Sequence, residues 1–384
     1  MDFNLSEEEL AIQQTVREFA EKEIAPSARE RDEKSEFPFE IIKKLGKLGF
    51  CGVCAPPEYG GAGMSYLSYA IIIEELAKVD ASVAVIISVT NTLASIPLRR
   101  FGTEEQRRKF LPALSSGEKL GAYSLSEPQA GSDASNLACA AVRDGEEYIL
   151  NGVKNFVTNG SNADLIVVFA VTDKEKGSKG LSTFMVEKNS PGLSIGKIEK
   201  KLGIRSSDTA ELIFVDCRIP VFNRIGEEGE GFKIALTTLD YGRVGIGAQA
   251  LGIAQGAMDR AVAYSQKREQ FGKTISKFQA IQFKIAEMAM EIDAARLLLY
   301  RAALKQDNGE NFTKESAMAK LYASQIAMKT ANQAVQIFGG YGYMREYEIE
   351  RFMRDAKITE IYEGTSEIQK IVIARETYDS YNKV

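Results

Sequence analysis

Histidine and tryptophan are absent from these 384 residues, and cysteine (four) and proline (nine) are scarce. Without histidine the chain has no imidazole for a hydrolytic triad and lacks both the commonest general acid–base and the commonest transition-metal ligand. Proton transfer must fall to Glu, Asp, Lys, Tyr or Cys. Four cysteines make no disulfide framework. Cys51 and Cys54 form a single C-x-x-C pair in GFCGVCAPP, but a structural zinc needs four ligands and Cys139 and Cys217 offer no second close pair, so no metal is expected. The pair reads as two small buried residues at a helix end, with a redox dithiol as the alternative. An excess of positive charge is missing too. The net charge of −5 disfavours nucleic acid and anionic membrane, and a phosphate-bearing ligand would need a local basic pocket. No apolar run reads as long enough for a membrane span. The opening MDFNLSEEEL lacks the basic-then-apolar order of a targeting segment, so a cytoplasmic location is expected.

What is present is an ordinary globular composition, 45% hydrophobic and 26% charged, in a length that suits about two or three domains. Residues 1–117 read as helices, with capping boxes at Ser6/Glu9 and Thr103/Gln106. Between them YLSYAIIIEELAKV and SVAVIISVTNTLASI are apolar nearly all round and are expected to be buried. Across 118–228 the period changes to short β-rich runs, EYILNG, NFVTNG, DLIVVFAVT, LSTFMVEK and AELIFVDCRI, separated by the turn compositions RDGE, NSPG and EKGSKG. Residues 229–384 return to long helical stretches of bundle length, with Gly252 and Gly256 expected where neighbours pack closely. The expected fold is mainly α with a central β domain.

Gly245 and Gly247 in GRVGIGAQALG imitate a dinucleotide fingerprint, but they lie inside a helical pattern rather than after a strand, which excludes a nicotinamide site there. GGAGMSY, from Gly60, lacks the ending of a phosphate loop and reads as a connector. YSLSEPQAGSDAS, residues 123–135, gathers Ser126, Gly131, Ser132 and Asp133 in one polar turn, suited to a phosphate or a polar ring edge and equally to an ordinary turn. In ITEIYEGTSEIQK, residues 358–370, Ser366 and Gln369 read as a capping box. This leaves Glu363 in a break beside Gly364, either a solvated surface acid or a carboxylate aimed into a cleft.

Taken in order and spacing, YSLSEPQAGSD, NFVTNG, LDYGR, KREQFGK, QIFGGYGY and IYEGTSEIQ make the sequence resemble the acyl-CoA dehydrogenase family of flavoproteins, most of all its short-chain, butyryl-type bacterial members. The likeness runs from about Asp2 to Arg375. It implies an N-terminal helical domain, a middle β-sandwich or barrel and a C-terminal four-helix bundle, a homotetramer, and FAD between the β domain and the bundle. Tyr123, Leu125, Ser126, Gly131 and Ser132 would border the flavin, with Ser132 also near the thioester. Phe156 and Thr158 stand where the family places an aromatic ring and a hydroxyl against the isoalloxazine; many members carry Trp at the first, so Phe156 departs from the pattern. Arg268, Phe271, Gln279, Gln336, Gly339 and Gly340 match positions that hold the adenine and diphosphate end across a subunit contact, and Thr365 and Glu367 complete that site.

By the same resemblance Glu363 is the catalytic base. It would take the proton α to an acyl-CoA thioester while the β hydride passes to FAD, with the backbone amide of Glu363 assisting the thioester oxygen. Some members carry the base immediately before the arginine of LDYGR; here that residue is Gly242. Asp240, Tyr241, Arg243, Gly364, Arg375 and Asn91 match substrate-side positions, although Asp240, Arg243 and Arg375 also read as surface ion pairs and Asn91 and Tyr241 as ordinary helix packing. Ala84 stands where glutaryl-type relatives carry an arginine, which argues against a diacid. A short straight acyl group is expected, with branched or alicyclic esters and the reverse, enoyl-reducing direction left open. An electron-transferring flavoprotein is the expected electron acceptor. An oxidase on the same scaffold and a binding protein without chemistry remain as rivals.

Overall fold

The computed structural model describes residues 4–382. Residues 1–3, which contribute to the opening segment read above, lie outside that range, as do residues 383–384.

The first helix, α1 (Glu7–Phe19), begins at the expected capping box. Ser6 N donates to Glu9 Oε2 at 2.7 Å and Glu9 N to Ser6 Oγ at 3.2 Å. A π turn over Ala20–Ile24 carries it into α2 (Ala25–Lys34), followed by α3 (Phe39–Lys47), α4 (Tyr66–Ala77), α5 (Ala81–Val89), α6 (Ser95–Phe101) and α7 (Glu104–Ser115), the last capped by Thr103 and Gln106. Every residue of α4 and α5 is buried, as their all-round apolar character requires. A second π turn, Thr90–Ala94, makes α5 and α6 continuous. The resulting 21-residue segment Ala81–Phe101 is long and apolar enough to cross a membrane, contrary to the sequence reading, and its whole apolar window is buried inside the protein. Cys51 and Cys54 lie in the turns after α3, buried and unpaired, and burial pushes both thiols up to about 12, which suppresses the thiolate a redox dithiol would need.

The middle segment is one mixed sheet of β1 (Gly121–Ser124), β2 (Ala140–Asp144), β3 (Glu147–Thr158), β4 (Leu165–Val171), β5 (Leu181–Glu187), β6 (Leu193–Ile198), β7 (Thr209–Pro220) and β8 (Arg224–Ile225). The order is β6-β7-β3-β2-β4-β5-β8, with β1 pairing parallel to β4. Strand β4 is buried on both faces. Leu165, Val167 and Phe169 pack with Leu111, Leu114 and Ile234, while Ile166, Val168 and Ala170 pack with Tyr148 and Phe214. EYILNG and NFVTNG are not two strands but one, β3, whose pairing with β7 shifts register between Leu150 and Gly152 and again between Lys154 and Val157. Each bulge bends the strand without ending it, so turn-like composition misreports a break. EKGSKG forms short 3-10 turns rather than a simple hairpin loop.

The last segment contains α8 (Gly231–Lys267), a small hairpin of β9 (Glu269–Gln270) and β10 (Lys273–Thr274), then α9 (Gln279–Asp307), α10 (Thr313–Phe338), α11 (Ile349–Thr359) and α12 (Ser366–Tyr381). The glycines of α8 are contact points between helices. A Cβ on Gly245 would stand 2.3 Å from Tyr69 Oη, and one on Gly252 would stand 2.3 Å from the Glu74 carbonyl oxygen. Buried charges fasten α11 to the rest of the protein. Arg354 pairs with Asp32 of α2 at 2.7 Å, and Asp355 Oδ1 accepts from Ile204 N at 2.6 Å in the β6–β7 connection. The helix that leads into Glu363 is thereby fixed to both other segments.

Candidate active site

Glu363 lies in the link between α11 and α12 in a left-handed conformation, φ +52°, followed by Gly364 at φ +95°. A glutamate is strained there, so the surroundings must impose the conformation. They do so by gripping the two carbonyls of the link. Gln369 Nε2 donates to Glu363 O at 3.2 Å and to Gly364 O at 2.9 Å, and Lys320 Nζ donates to Gly364 O at 2.7 Å. The Tyr362 hydroxyl donates to Gln249 Oε1, and Gln249 Nε2 donates to the Ala81 carbonyl at 2.8 Å. The expected Ser366/Gln369 capping box is not formed. Thr365 is the N-cap, its Oγ1 accepting from Ile368 N at 3.4 Å, because the Gln369 amide is needed by carbonyls that would otherwise be buried without donors.

The carboxylate of Glu363 is not a solvated surface acid. Its Oε2 is buried and has no hydrogen-bond partner. A Cβ built on Gly242 of α8 would stand 2.0 Å from that oxygen and 2.9 Å from Leu93 Cδ2, so the absence of a side chain at 242 is what admits the carboxylate. Burial pushes Glu363 up to about 7, against the opposing pull of Lys320 and Arg243. An acid of that strength is poised to accept a proton near neutrality.

Arg243, one residue after Gly242, is buried and pairs with Asp240 Oδ1 at 2.5 Å, while Asp240 Oδ2 accepts from Thr313 Oγ1 at 2.7 Å. This is no surface ion pair. Desolvation lowers Arg243 and raises Asp240, and the Arg243 Nε remains buried without a partner, a donor available to a ligand. Arg375 is the exposed member of the group and pairs with Glu376 at 3.0 Å. Tyr241 is buried between Tyr66 (ring centroids 5.2 Å apart) and Phe312 (5.1 Å). Asn91, expected to give the acyl pocket polar character, uses its amide elsewhere. Oδ1 accepts from Val53 N at 2.8 Å, and Nδ2 donates to Phe50 O at 2.8 Å and Ile87 O at 3.0 Å. These bonds tie the turns after α3 to α5, in keeping with the helix-packing reading of Asn91.

The polar turn after β1 is held open by a buried ion pair. Lys154 of β3 reaches Glu127 Oε1 at 2.7 Å and the Leu125 carbonyl at 3.0 Å, and Glu127 also accepts from Ala138 N and Cys139 N. Asn155 N donates to Ser126 O at 2.9 Å, joining the turn to β3 immediately before Phe156. Phe156 adopts φ +58° and leaves 66% of its surface exposed, with Thr158 two residues on. Gly131 and Ser132 are exposed on the same turn, Leu125 is buried beneath it, and Tyr123 reaches toward α8, its hydroxyl 3.4 Å from Ala235 O. An exposed ring in an imposed conformation beside a turn of small residues suits a flat, polar-edged ring system such as isoalloxazine.

Arg268, Gly339 and Gly340 line a different cleft, of about 560 Å³, with Tyr264, Gln270 and Phe338. Phe271 is 93% exposed, and Gln279 and Gln336 are exposed at the first turn of α9 and the last of α10. Glu363 is not part of that cleft; Thr365 and Glu367 adjoin Glu363 instead. The predicted residues are therefore dispersed, some beside Glu363, some on the β1 turn and around Phe156, and some at or beside this cleft. A larger cavity of about 740 Å³ lies among α1, α4, α8 and α9, lined by Arg17, Glu74, Glu75 and Arg296, and contains none of them. Sequence reasoning missed Lys320, Gln249 and the Glu127–Lys154 pair. Lys320 has one sequence signal, its place on a helix face otherwise made of Ala317, Ala323, Ser324 and Ala327.

Three family models match in succession: acyl-CoA dehydrogenase N-terminal domain over residues 6–118, middle domain over 122–217 and C-terminal domain over 229–378. The short-chain specific acyl-CoA dehydrogenase of Clostridium acetobutylicum is 52% identical over 378 residues, covering 98% of this chain and 100% of that one. The structure of butyryl-CoA dehydrogenase from Megasphaera elsdenii superposes with a TM-score of 0.97 at 49% identity, covering 98% of this chain and 100% of that one. A chain from the structure described as the electron transferring flavoprotein of Acidaminococcus fermentans, concerning flavin-based electron bifurcation, gives a TM-score of 0.97 at 52% identity over 98% of this chain and 99% of that one. On these matches the protein belongs to the acyl-CoA dehydrogenase family.

Proposed function

We propose that the protein carries out FAD-dependent dehydrogenation of a short-chain acyl-CoA, with Glu363 as the base that removes the proton α to the thioester. The single observation that carries this reading is Oε2 of the Glu363 carboxylate, buried without a hydrogen-bond partner in the space left by Gly242. The residues around Phe156 and the β1 turn fit the flavin ring, and the Arg268–Gly339–Gly340 cleft fits its phosphate-bearing end, where the arginine supplies a rigid fork of donors. When bound, FAD supplies the acceptor for the β hydride.

The protein's own contribution begins with orientation. Lys320, Gln369 and the Tyr362–Gln249 contact fix the backbone that presents Glu363, which reduces the entropic cost of bringing base and Cα–H together. The Glu363 N–H donates to no acceptor among the described residues and is free to meet the thioester oxygen as negative charge develops there. Burial makes the carboxylate more basic than one in water, and substrate binding excludes water further. Arg243, with its spare Nε–H, suits a polar part of the CoA ester.

Short acyl groups are favoured by the packed rings of Tyr66, Tyr241 and Phe312 beside Gly242, and by the short-chain relatives. An electron-transferring flavoprotein as acceptor is supported by the similarity to the Acidaminococcus chain. A homotetramer is supported by the exposed rings of Phe271, Tyr343 and Tyr347 around the second cleft, an apolar surface that another copy would cover.

The test is anaerobic addition of a panel of acyl-CoA esters to the purified, FAD-loaded protein. Butyryl-CoA is expected to bleach the flavin fastest. A faster branched or alicyclic ester would reassign the substrate, and a flavin bleached by none would overturn the activity.

A further inference from the structure

We propose that Lys320 is a positioning residue for the base: its buried ammonium holds the Gly364 carbonyl and, through space, favours the ionised form of the Glu363 carboxylate. This rests on the proposed role of Glu363. Lys320 lies on the inward face of α10 and is completely buried, whereas Lys329 on the same helix is half exposed and pairs with Glu291 at 2.6 Å. A buried ammonium normally has a carboxylate against it. Among the described residues Lys320 has no such ion pair, and its one hydrogen-bond partner is Gly364 O at 2.7 Å, in the peptide unit that follows Glu363.

The charges facing this enclosure come from several elements. Arg243 on α8 is the other cation, but Asp240 lies against it at 2.5 Å and offsets its charge. Tyr69 on α4, Tyr123 on β1 and Tyr362 in the link contribute phenols that burial keeps neutral. Glu360 and Glu367 flank the link and act on Lys320 less than Glu363 does. The uncompensated pair is thus Lys320 and Glu363. Burial pushes the lysine down to about 8 and the glutamate up to about 7, so each limits the other's loss of charge near neutrality.

The experiment compares the FAD-loaded wild type with Lys320→Met and Lys320→Arg. It records the pH dependence of kcat/KM and, without turnover, the pH at which the gain in melting temperature from Glu363→Gln levels off in each background. In Lys320→Met the acid limb of kcat/KM is expected to move about one pH unit toward alkali, with the pH at which the melting-temperature gain levels off moving the same way. Lys320→Arg, which retains the charge, is expected to restore both. A Lys320→Met limb that coincides with wild type, whether or not the protein melts earlier, overturns the inference and leaves a merely structural lysine. If Lys320→Met fails to hold FAD, Lys320→Gln keeps a donor toward Gly364 without the charge, and an unshifted limb in that variant overturns the inference equally. Near wild-type turnover in Glu363→Gln would instead remove the base assignment; an inactive Glu363→Gln with an unmoved limb removes only the role of Lys320.

Discussion

Gly242 of α8 and Glu363 of the α11–α12 link compete for one small space: a Cβ on the glycine would stand 2.0 Å from Oε2 of the glutamate. The absence of a side chain at 242 thus leaves the space that the Glu363 carboxylate fills. Gly242→Ala should displace the carboxylate by about an ångström and slow anaerobic flavin reduction on the order of 100-fold. FAD content and melting temperature should change little. Stopped-flow reduction by butyryl-CoA checks this, and an unaltered rate would show that the carboxylate does not react from this position.

The pH dependence follows from Glu363 being raised from 4.5 to about 7. As a base it must be ionised, so kcat/KM should climb through about pH 7 and level off above it. Stability runs the other way. The raised pKa means the folded state binds the proton more tightly than the unfolded chain, so this contribution is full below about 4.5 and is lost as pH rises through about 7. Glu363→Gln should therefore melt a few degrees above wild type at pH 8 and alongside it near pH 4.5, as calorimetry across that range would show.

Asn91 should behave as a structural residue. Removing its amide leaves Val53 N and the Phe50 carbonyl without their partner, so Asn91→Leu should cost about 2–3 kcal/mol in stability while leaving the ranking of acyl-CoA substrates unchanged. Denaturant melts together with the ester panel separate this from a pocket role.

The Glu127–Lys154 pair should matter more to the flavin than to the base. Lys154→Met strands a carboxylate that is only 4% exposed, a loss of about 3–5 kcal/mol, and frees the turn that carries Ser126. The variant should purify with less bound FAD, measured by the ratio of flavin to protein absorbance.

Much of this was legible in the sequence because it is written locally. The capping boxes at Ser6 and Thr103 mark helix starts within a few residues, and the long helical periodicity before Lys267 exposes Gly245 and Gly247 as decoys. Glu363 stood out through its glycine neighbour and the lack of histidine. What stayed hidden depends on partners distant in the chain. Gln369 reads locally as half of a capping box, but Glu363 O and Gly364 O take its amide, and Asn91 reads equally as a pocket residue or as helix packing, a choice that depends on its distant partners Phe50 and Val53. Lys320 and Lys154 are ordinary lysines to any local pattern; only the fold removes them from water. The continuity of β3 was concealed because bulges and turns share their residue types.

The most direct measurement is single-turnover reduction of FAD by butyryl-CoA in Glu363→Gln, which keeps the shape of the side chain and removes its basicity. Binding of FAD and of the ester should persist while the reduction rate falls by about four orders of magnitude or more, within the range assigned to a positioned base together with its geometry. Reduction at a rate near that of the wild type would contradict the account.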